Sequence, residues 1–151
     1  MATLLARLNG VLWSGSGGLD QMDLLSARIS PQAGTLQIAS AGTLQAVVVR
    51  KATIEPVEID SPAIGTHEET CLRELALTLS KGDALIAIAH SPAGDGSTTA
   101  HRELAGVVGQ LSDELRSAPA ARLAEAVLRL LNLQGTCSSP QGRAVLVIKR
   151  S

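Results

Sequence analysis

Aromatic side chains are almost missing from this 151-residue chain, which contains Trp13 but no phenylalanine and no tyrosine. Proteins that bind single-stranded nucleic acids stack the bases on aromatic rings, so the composition disfavours that function. The formal net charge is only −1, which gives no attraction toward nucleic acid or an acidic membrane surface. The core must therefore be built from leucine, isoleucine, valine and alanine.

Cysteines and long apolar runs are scarce as well. Cys71 and Cys137 lie far apart and form neither a disulfide framework nor a zinc spacing, which predicts structural thiols in a reducing cytoplasm. No stretch approaches the ~20 continuous apolar residues of a membrane helix. Residues 1–13 carry an arginine in their middle and no small-residue cleavage site. We therefore expect an amphipathic helix there rather than a signal peptide.

The residues that are present are typical of one globular domain spanning residues 1–151. Apolar residues make up 45% of the chain and charged residues 18%, which is ordinary composition for a domain with a real core. Hydrophobic spacing predicts a first helix at residues 2–13. It then predicts a run of strands at residues 22–30, 35–41, 44–50, 54–59, 72–79 and 83–90. Pro56 favours an edge strand, and the continuous apolar run before His90 is typical of a strand buried on both faces.

The last third changes to helical spacing. Leu104 to Leu115 follow one helical face, a second helix begins near Pro119, and Gly135 ends it. A final strand covers residues 144–149. Consecutive strands with short turns, followed by helices, predict an α+β fold with an antiparallel sheet. The glycine-rich residues 14–18 follow a helix and precede a strand, which is the wrong setting for a phosphate-binding loop.

Several segments match motifs of one known family. Residues 8–13 resemble a helix end of the form "L-N-x-x-L", and residues 35–42 resemble a hairpin ending in "N-A-G-H", with Ser40 and Thr43 at the Asn and His positions. Further matches are residues 44–50 with "P-P-L-L-L-R", 61–65 with "G-x-P-L-G", 77–91 with "L-x-p-G-D-x-l-l-l-Y-T-D-G" and 142–150 with "D-R-T-L-l-v-l-R-R". In order and spacing they resemble the C-terminal two-thirds of bacterial PPM-type (protein phosphatase 2C-like) serine/threonine phosphatases, in the SpoIIE-like or RsbU-like branch.

The resemblance implies a partial α-β-β-α sandwich and also a chemistry. Members of the family hold two Mn²⁺ or Mg²⁺ ions with aspartates, and the ions activate a bridging water for attack on a phosphoserine. The aspartate of "T-D-G" corresponds to His90, and the Asp-Asp pair before the last strand corresponds to Gln141 and Gly142. Because hard cations need carboxylate oxygens, these degenerate positions predict a domain without metal or cofactor and without catalytic residues.

Other residues are weak candidates to replace the missing metal ligands or to form a different catalytic site. Asp83 and Asp95 are carboxylates near the degenerate positions in sequence, but a two-metal cage needs several carboxylates. His90 could bind a softer metal such as Zn²⁺, yet His67 and His101 are distant in sequence. No nucleophile elbow lies between a strand and a helix, and neither cysteine lies in an activating setting.

The resemblance leaves open what the chain does. The family domain begins upstream of this chain and carries two more acidic motifs there, so we expect a truncated domain whose open sheet is covered by a protein partner or by self-association. The leading hypothesis is a non-catalytic, cytoplasmic binding or regulatory module, because relatives of this branch control sigma factors by partner switching. The alternative is a metal-dependent phosphatase whose N-terminal ligands are missing from this chain. A third reading is a gene that is losing its function.

Overall fold

The computed structural model describes residues 1–42, 45–51, 53–59, 61–89, 99–133 and 144–151. Along the chain the elements are α1 (Ala2–Ser16), β1 (Leu24–Ser30), β2 (Thr35–Ala41), β3 (Gln45–Val49), β4 (Ile54–Val57), β5 (Glu74–Thr78), β6 (Ala84–Ala89), α2 (Thr99–Gly109), α3 (Asp113–Ser117), α4 (Ala120–Leu133) and β7 (Ala144–Lys149). All the strand pairs are antiparallel. The α+β class predicted from the sequence is therefore confirmed.

The first compact unit consists of Met1–Leu44 and Glu58–Thr78. It contains α1 and a three-stranded sheet in the order β1-β2-β5. β1 and β2 form the predicted hairpin, in which the Gly34 N–H donates to the Ser30 carbonyl at 2.9 Å. α1 packs against β2 and buries Leu5 completely.

α1 is longer than the spacing of its leucines predicts. It continues to Ser16 and is ended by Gly17, whose φ of 62° is left-handed. The Gly17 N–H donates to the Trp13 carbonyl at 2.8 Å, which is a common way to close a helix with glycine. The glycine-rich segment therefore ends a helix, in agreement with the rejection of a phosphate-binding loop.

The second compact unit consists of Gln45–Val57 and Leu79–Ser151. Its four-stranded sheet has the order β4-β3-β6-β7. β6 is central, and its residues 84–88 are each at most 2% exposed, as expected for a strand buried on both faces. β4, which contains Pro56, lies at the edge of the sheet as predicted. The chain thus changes sheets between β2 and β3, because β3 pairs with β4 and β6.

One face of this sheet packs against α2 and α4. The buried side chains that form this core are Val47, Val49, Ala84, Ile86, Ile88, Leu104, Val107, Val108, Leu111, Leu123, Val127 and Leu131. They are all aliphatic, as the lack of aromatic residues requires.

The helix predicted from Leu104 to Leu115 is interrupted. α2 ends at Gly109, and Ser112 adopts an extended conformation with φ −63° and ψ 156°. Its hydroxyl oxygen accepts a hydrogen bond from the Leu115 N–H at 3.3 Å and so caps the short helix α3. The prediction of one continuous helix was wrong because the side chain of Ser112 competes for a backbone donor.

None of the helices in the described part of the chain has the length and apolarity that a membrane span requires.

Candidate functional site

The end of the β6–β7 strand pair is the candidate site. His90, Gln141 and Gly142 themselves lie outside the described residues, but the strands that lead to them are described. Ala89, the last residue of β6, pairs with Ala144, the first residue of β7. In an antiparallel pair the end of one strand and the start of the next lie at the same sheet end. The pairing therefore places Ala89 and Ala144, the described residues next to the candidate positions in sequence, side by side at one end of the sheet.

β3 begins at the same end of the sheet. Gln45 pairs with Ile88, one residue before the end of β6. Gln45 is 6% exposed, although glutamine is mostly found at protein surfaces. A buried amide at this end adds hydrogen-bonding groups but no negative charge.

Asp83 lies at the opposite end of β6. Its Oδ2 accepts hydrogen bonds from Arg50 Nη1 at 2.7 Å and from the Ser80 N–H at 2.8 Å. Six strand steps of roughly 3.3 Å each separate Asp83 from Ala89, at the other end of β6, by about 20 Å. Asp83 therefore cannot replace a ligand at the candidate site, and it orders the turn before β6. Asp95 lies outside the described residues.

Arg50 joins Asp83 to a second carboxylate. Its Nε donates to Glu55 at 3.0 Å, and Glu55 is half-exposed. The hydrogen bond to Glu55 raises the pKa of Arg50 above its ordinary value, and burial partly opposes this effect. The charge of Glu55 and the hydrogen bond and charge of Asp83 raise the pKa further. The guanidinium remains charged at every accessible pH.

We expect Asp83→Ala to lower the free energy of unfolding by about 2 kcal/mol, because it removes a buried carboxylate that accepts from both the Ser80 N–H and Arg50 Nη1. Glu55→Ala is the matched control, since it removes the exposed partner of the same arginine and should change stability little. Urea denaturation followed by circular dichroism measures both. Equal losses for the two variants would show that Asp83 has no special structural role.

The other polar residues singled out in the sequence do not assemble into a metal site in the described part of the chain. Within those residues there is no group of three or more His, Cys, Asp or Glu side chains that could hold a metal ion. His67 and Cys71 lie in the loop before β5 and are exposed. The side chain of His101, together with Cys137 and Thr43, lies outside the described residues. Ser40 is completely buried in β2, and its Oγ has no hydrogen-bond partner among the described residues.

Asn9 has a role that sequence reasoning missed. It is 2% exposed, and its Nδ2 donates to the carbonyls of His67 and Glu68, both at 3.0 Å. Its Oδ1 accepts the Gly65 N–H at 2.7 Å. One amide thus holds the loop of residues 65–68 on α1. The sequence feature that could have predicted this role is an asparagine on the apolar face of a helix. A buried asparagine side chain must find hydrogen-bond partners.

Comparisons with known proteins give the same answer as the fold. The family model of stage II sporulation protein E (SpoIIE) matches residues 1–150. A comparison with curated protein sequences found no match. The chain is similar to the solved structure of PppA, a key regulatory component of the T6SS in Pseudomonas aeruginosa, with 20% identity and a TM-score of 0.65 over 98% of this chain and 67% of that one.

Two further solved structures share the fold. The phosphatase domain of the cell fate determinant SpoIIE from Bacillus subtilis is 12% identical, with a TM-score of 0.59 over 97% of this chain and 73% of that one. RsbX in complex with magnesium is 10% identical, with a TM-score of 0.63 over 97% of this chain and 63% of that one. The chain thus spans about two-thirds of the length of these structures. With antiparallel sheets, flanking helices and a family match over residues 1–150, this chain belongs to the SpoIIE family of PPM-type phosphatase domains.

Proposed function

We propose that this chain is a degenerate PPM-type domain without phosphatase activity, acting as a protein-binding or regulatory module. The observation that supports it is the pairing of Ala89 with Ala144, the described residues that come just before His90 and just after residues 141–143 in the chain. At those neighbouring sequence positions the chain has His90, Gln141 and Gly142, where the resemblance to the family implies aspartates. These residues do not fit a pair of hard divalent cations, which need carboxylate oxygens.

A regulatory role is consistent with what is known of relatives. PppA is described as a regulatory component of a secretion system, and relatives of the SpoIIE-like branch control sigma factors by partner switching. We extend such a role to this chain by analogy with its family.

The alternative is a metal-dependent serine/threonine phosphatase that hydrolyses phosphoserine. Family membership and the likeness to the SpoIIE phosphatase domain favour it. It requires that ligands other than the degenerate positions hold the Mn²⁺ or Mg²⁺ ions. The two functions therefore differ in one measurable property, the binding of Mn²⁺.

Isothermal titration of Mn²⁺ into the metal-free protein, followed by hydrolysis of a phosphoserine peptide, tests the proposal. We expect neither binding nor turnover from the natural chain. The variant His90→Asp/Gln141→Asp/Gly142→Asp should gain measurable Mn²⁺ binding, since each carboxylate adds oxygen ligands and charge. Asparagine at the same three positions is the matched control for side-chain size. Binding of two ions with turnover by the natural chain would establish the phosphatase instead.

An exposed apolar stripe on α1 supports the binding role. Leu4, Leu8 and Val11 are 56%, 41% and 74% exposed, and their spacing places them on one face of the helix. The only charged residue in α1 is Arg7. An uncharged stripe is complementary to an identical stripe, so we propose that two copies of the chain associate through α1 about a twofold axis.

Sedimentation equilibrium measures this association. Leu4→Gln/Val11→Gln should weaken it at least about tenfold, because two apolar side chains would lose their burial in the dimer. Leu19→Gln is the control, since Leu19 is 90% exposed and lies outside α1. A natural chain that stays monomeric, or a dimer that the α1 variant leaves unchanged, would contradict self-association through this stripe.

A further inference from the structure

A groove of about 670 Å³ lies in the second unit, at the end of β6 opposite to His90. It is formed where β3 and β7 end, at the turn before β6, and along α3 and the start of α4. The residues that line it are Val49, Arg50, Lys51, Gly82, Asp113, Arg116, Ser117, Ala118, Pro119, Ala120, Lys149, Arg150 and Ser151. Its size is that of a site for a small organic molecule.

Basic side chains predominate in the lining of this groove. Five of the thirteen lysines and arginines of the chain line it, whereas the only carboxylate side chain in the lining is Asp113. These five residues come from three distant parts of the sequence: Arg50, Lys51, Arg116, Lys149 and Arg150. Like charges that line one groove repel one another. The chain as a whole is close to neutral, so the basic residues are concentrated here. A groove of this kind is expected to attract an anion.

Two of these cations have no carboxylate partner within the described residues. Lys149 Nζ donates to the carbonyls of Arg116, Ser117 and Ala118 at 3.0, 2.7 and 2.7 Å, and so caps the end of α3. Arg150 Nη1 donates to the Leu79 carbonyl at 2.7 Å. These neutral acceptors hold the side chains in place but leave their charges uncompensated.

Arg116 adds an unused donor. Its Nη2 contacts Asp113 at 2.5 Å, while its buried Nε has no hydrogen-bond acceptor among the described residues. Buried N–H groups without an acceptor are rare in folded proteins. Arg116 therefore lines the groove with a guanidinium that has one donor without an acceptor among the described residues.

We propose that this groove binds a phosphomonoester, with the phosphoryl group held by Lys51, Arg116 and Arg150. Arginine side chains present several donors that match the oxygens of a phosphate. Val49, Ala118 and Pro119 supply apolar wall for the organic part of the ligand, which a groove of this volume leaves room for. The site is independent of the proposed loss of phosphatase activity, since β6 separates the two by about 20 Å.

Isothermal titration with O-phosphoserine, inorganic phosphate and serine tests the proposal on the full chain. We expect O-phosphoserine to bind most tightly, inorganic phosphate more weakly, and serine not at all. Lys51→Gln/Arg150→Gln should raise the dissociation constant for O-phosphoserine at least about tenfold, because two charge-assisted contacts are lost. Arg116→Lys retains the charge but replaces the planar guanidinium with a single ammonium group, so it should weaken binding severalfold.

Two controls make the test specific. Arg122→Gln removes an exposed charge on α4 outside the groove and should leave binding unchanged. His90→Ala should also leave it unchanged, which separates this groove from the candidate site. If the double variant does not fold, the exposed Lys51→Gln variant alone decides. No saturable binding, unchanged binding in the groove variants, an equal loss in Arg122→Gln, or tighter binding of inorganic phosphate than of O-phosphoserine would overturn the proposal.

Discussion

Gly65→Ala should lower the free energy of unfolding by about 4 kcal/mol, the largest loss that we expect from a single substitution in this chain. Gly65 has a φ of +85°, and a Cβ atom there would lie 2.1 Å from the Asp20 carbonyl oxygen and 2.8 Å from Leu12 Cδ2. The left-handed conformation alone costs about 1–2 kcal/mol for a residue with a side chain. The backbone contact adds the rest, because the loop must shift and thereby loosen the hydrogen bond from the Gly65 N–H to Asn9.

Gly17→Ala is the matched control in the same unit. Gly17 also has a left-handed φ, of +62°, but a Cβ atom there would meet nothing within 4 Å. Its substitution should therefore cost only about 1 kcal/mol. Trp13 is the only tryptophan, so urea denaturation followed by its fluorescence reports on this unit for both variants. Similar midpoints for the two would mean that the Asp20 carbonyl does not restrict Gly65.

Asn9→Asp is the second large effect, and we expect a loss of about 3 kcal/mol. The two side chains have nearly the same shape, so packing on α1 is retained and only the donor is lost. The carbonyls of His67 and Glu68 would face a carboxylate oxygen instead of an N–H. Each unpaired buried group costs about 1–3 kcal/mol, and the added charge is also buried.

The pH dependence of this variant gives a further test. A carboxyl at position 9 is more easily accommodated when protonated, because it is then uncharged and can donate one hydrogen bond. The stability deficit of Asn9→Asp against the natural chain should therefore shrink as the pH falls toward about 4, the pKa of an aspartate in an unfolded chain, and stay constant below that pH, whereas the deficit of Asn9→Ala should not change in this range. Parallel denaturation series at several pH values measure this difference. A deficit that does not change with pH would contradict the burial of the new charge.

The two ends of β6 have different chemistry. The end at Ala89 comes just before His90, one of the positions at which we propose that metal-binding carboxylates are missing. The other end retains Asp83 and holds it in an ion pair with Arg50. Negative charge is thus kept where it orders a turn, and positive charge accumulates beside it in the groove. A search for function restricted to the positions of the family site would miss the groove.

Local pattern was enough to predict much of this protein. The period of the apolar residues predicted α1, the strands and the antiparallel α+β class, since burial of one face is imposed residue by residue. Pro56 predicted the edge position of β4 because proline cannot donate to a neighbouring strand. The motifs spread over residues 8–150 identified the family through their order and spacing together, although no single motif was specific.

Only the tertiary structure decided which distant residues meet. The pairing of β2 with β5 and of β6 with β7 joins segments separated by dozens of residues, and no local pattern encodes such partners. The same holds for the clamp that Asn9 forms on the loop of residues 65–68. The cationic groove unites Arg50, Arg116 and Arg150 in the same way. Charge and hydrogen-bonding capacity are properties of single residues, but their use depends on neighbours that only the folded chain supplies.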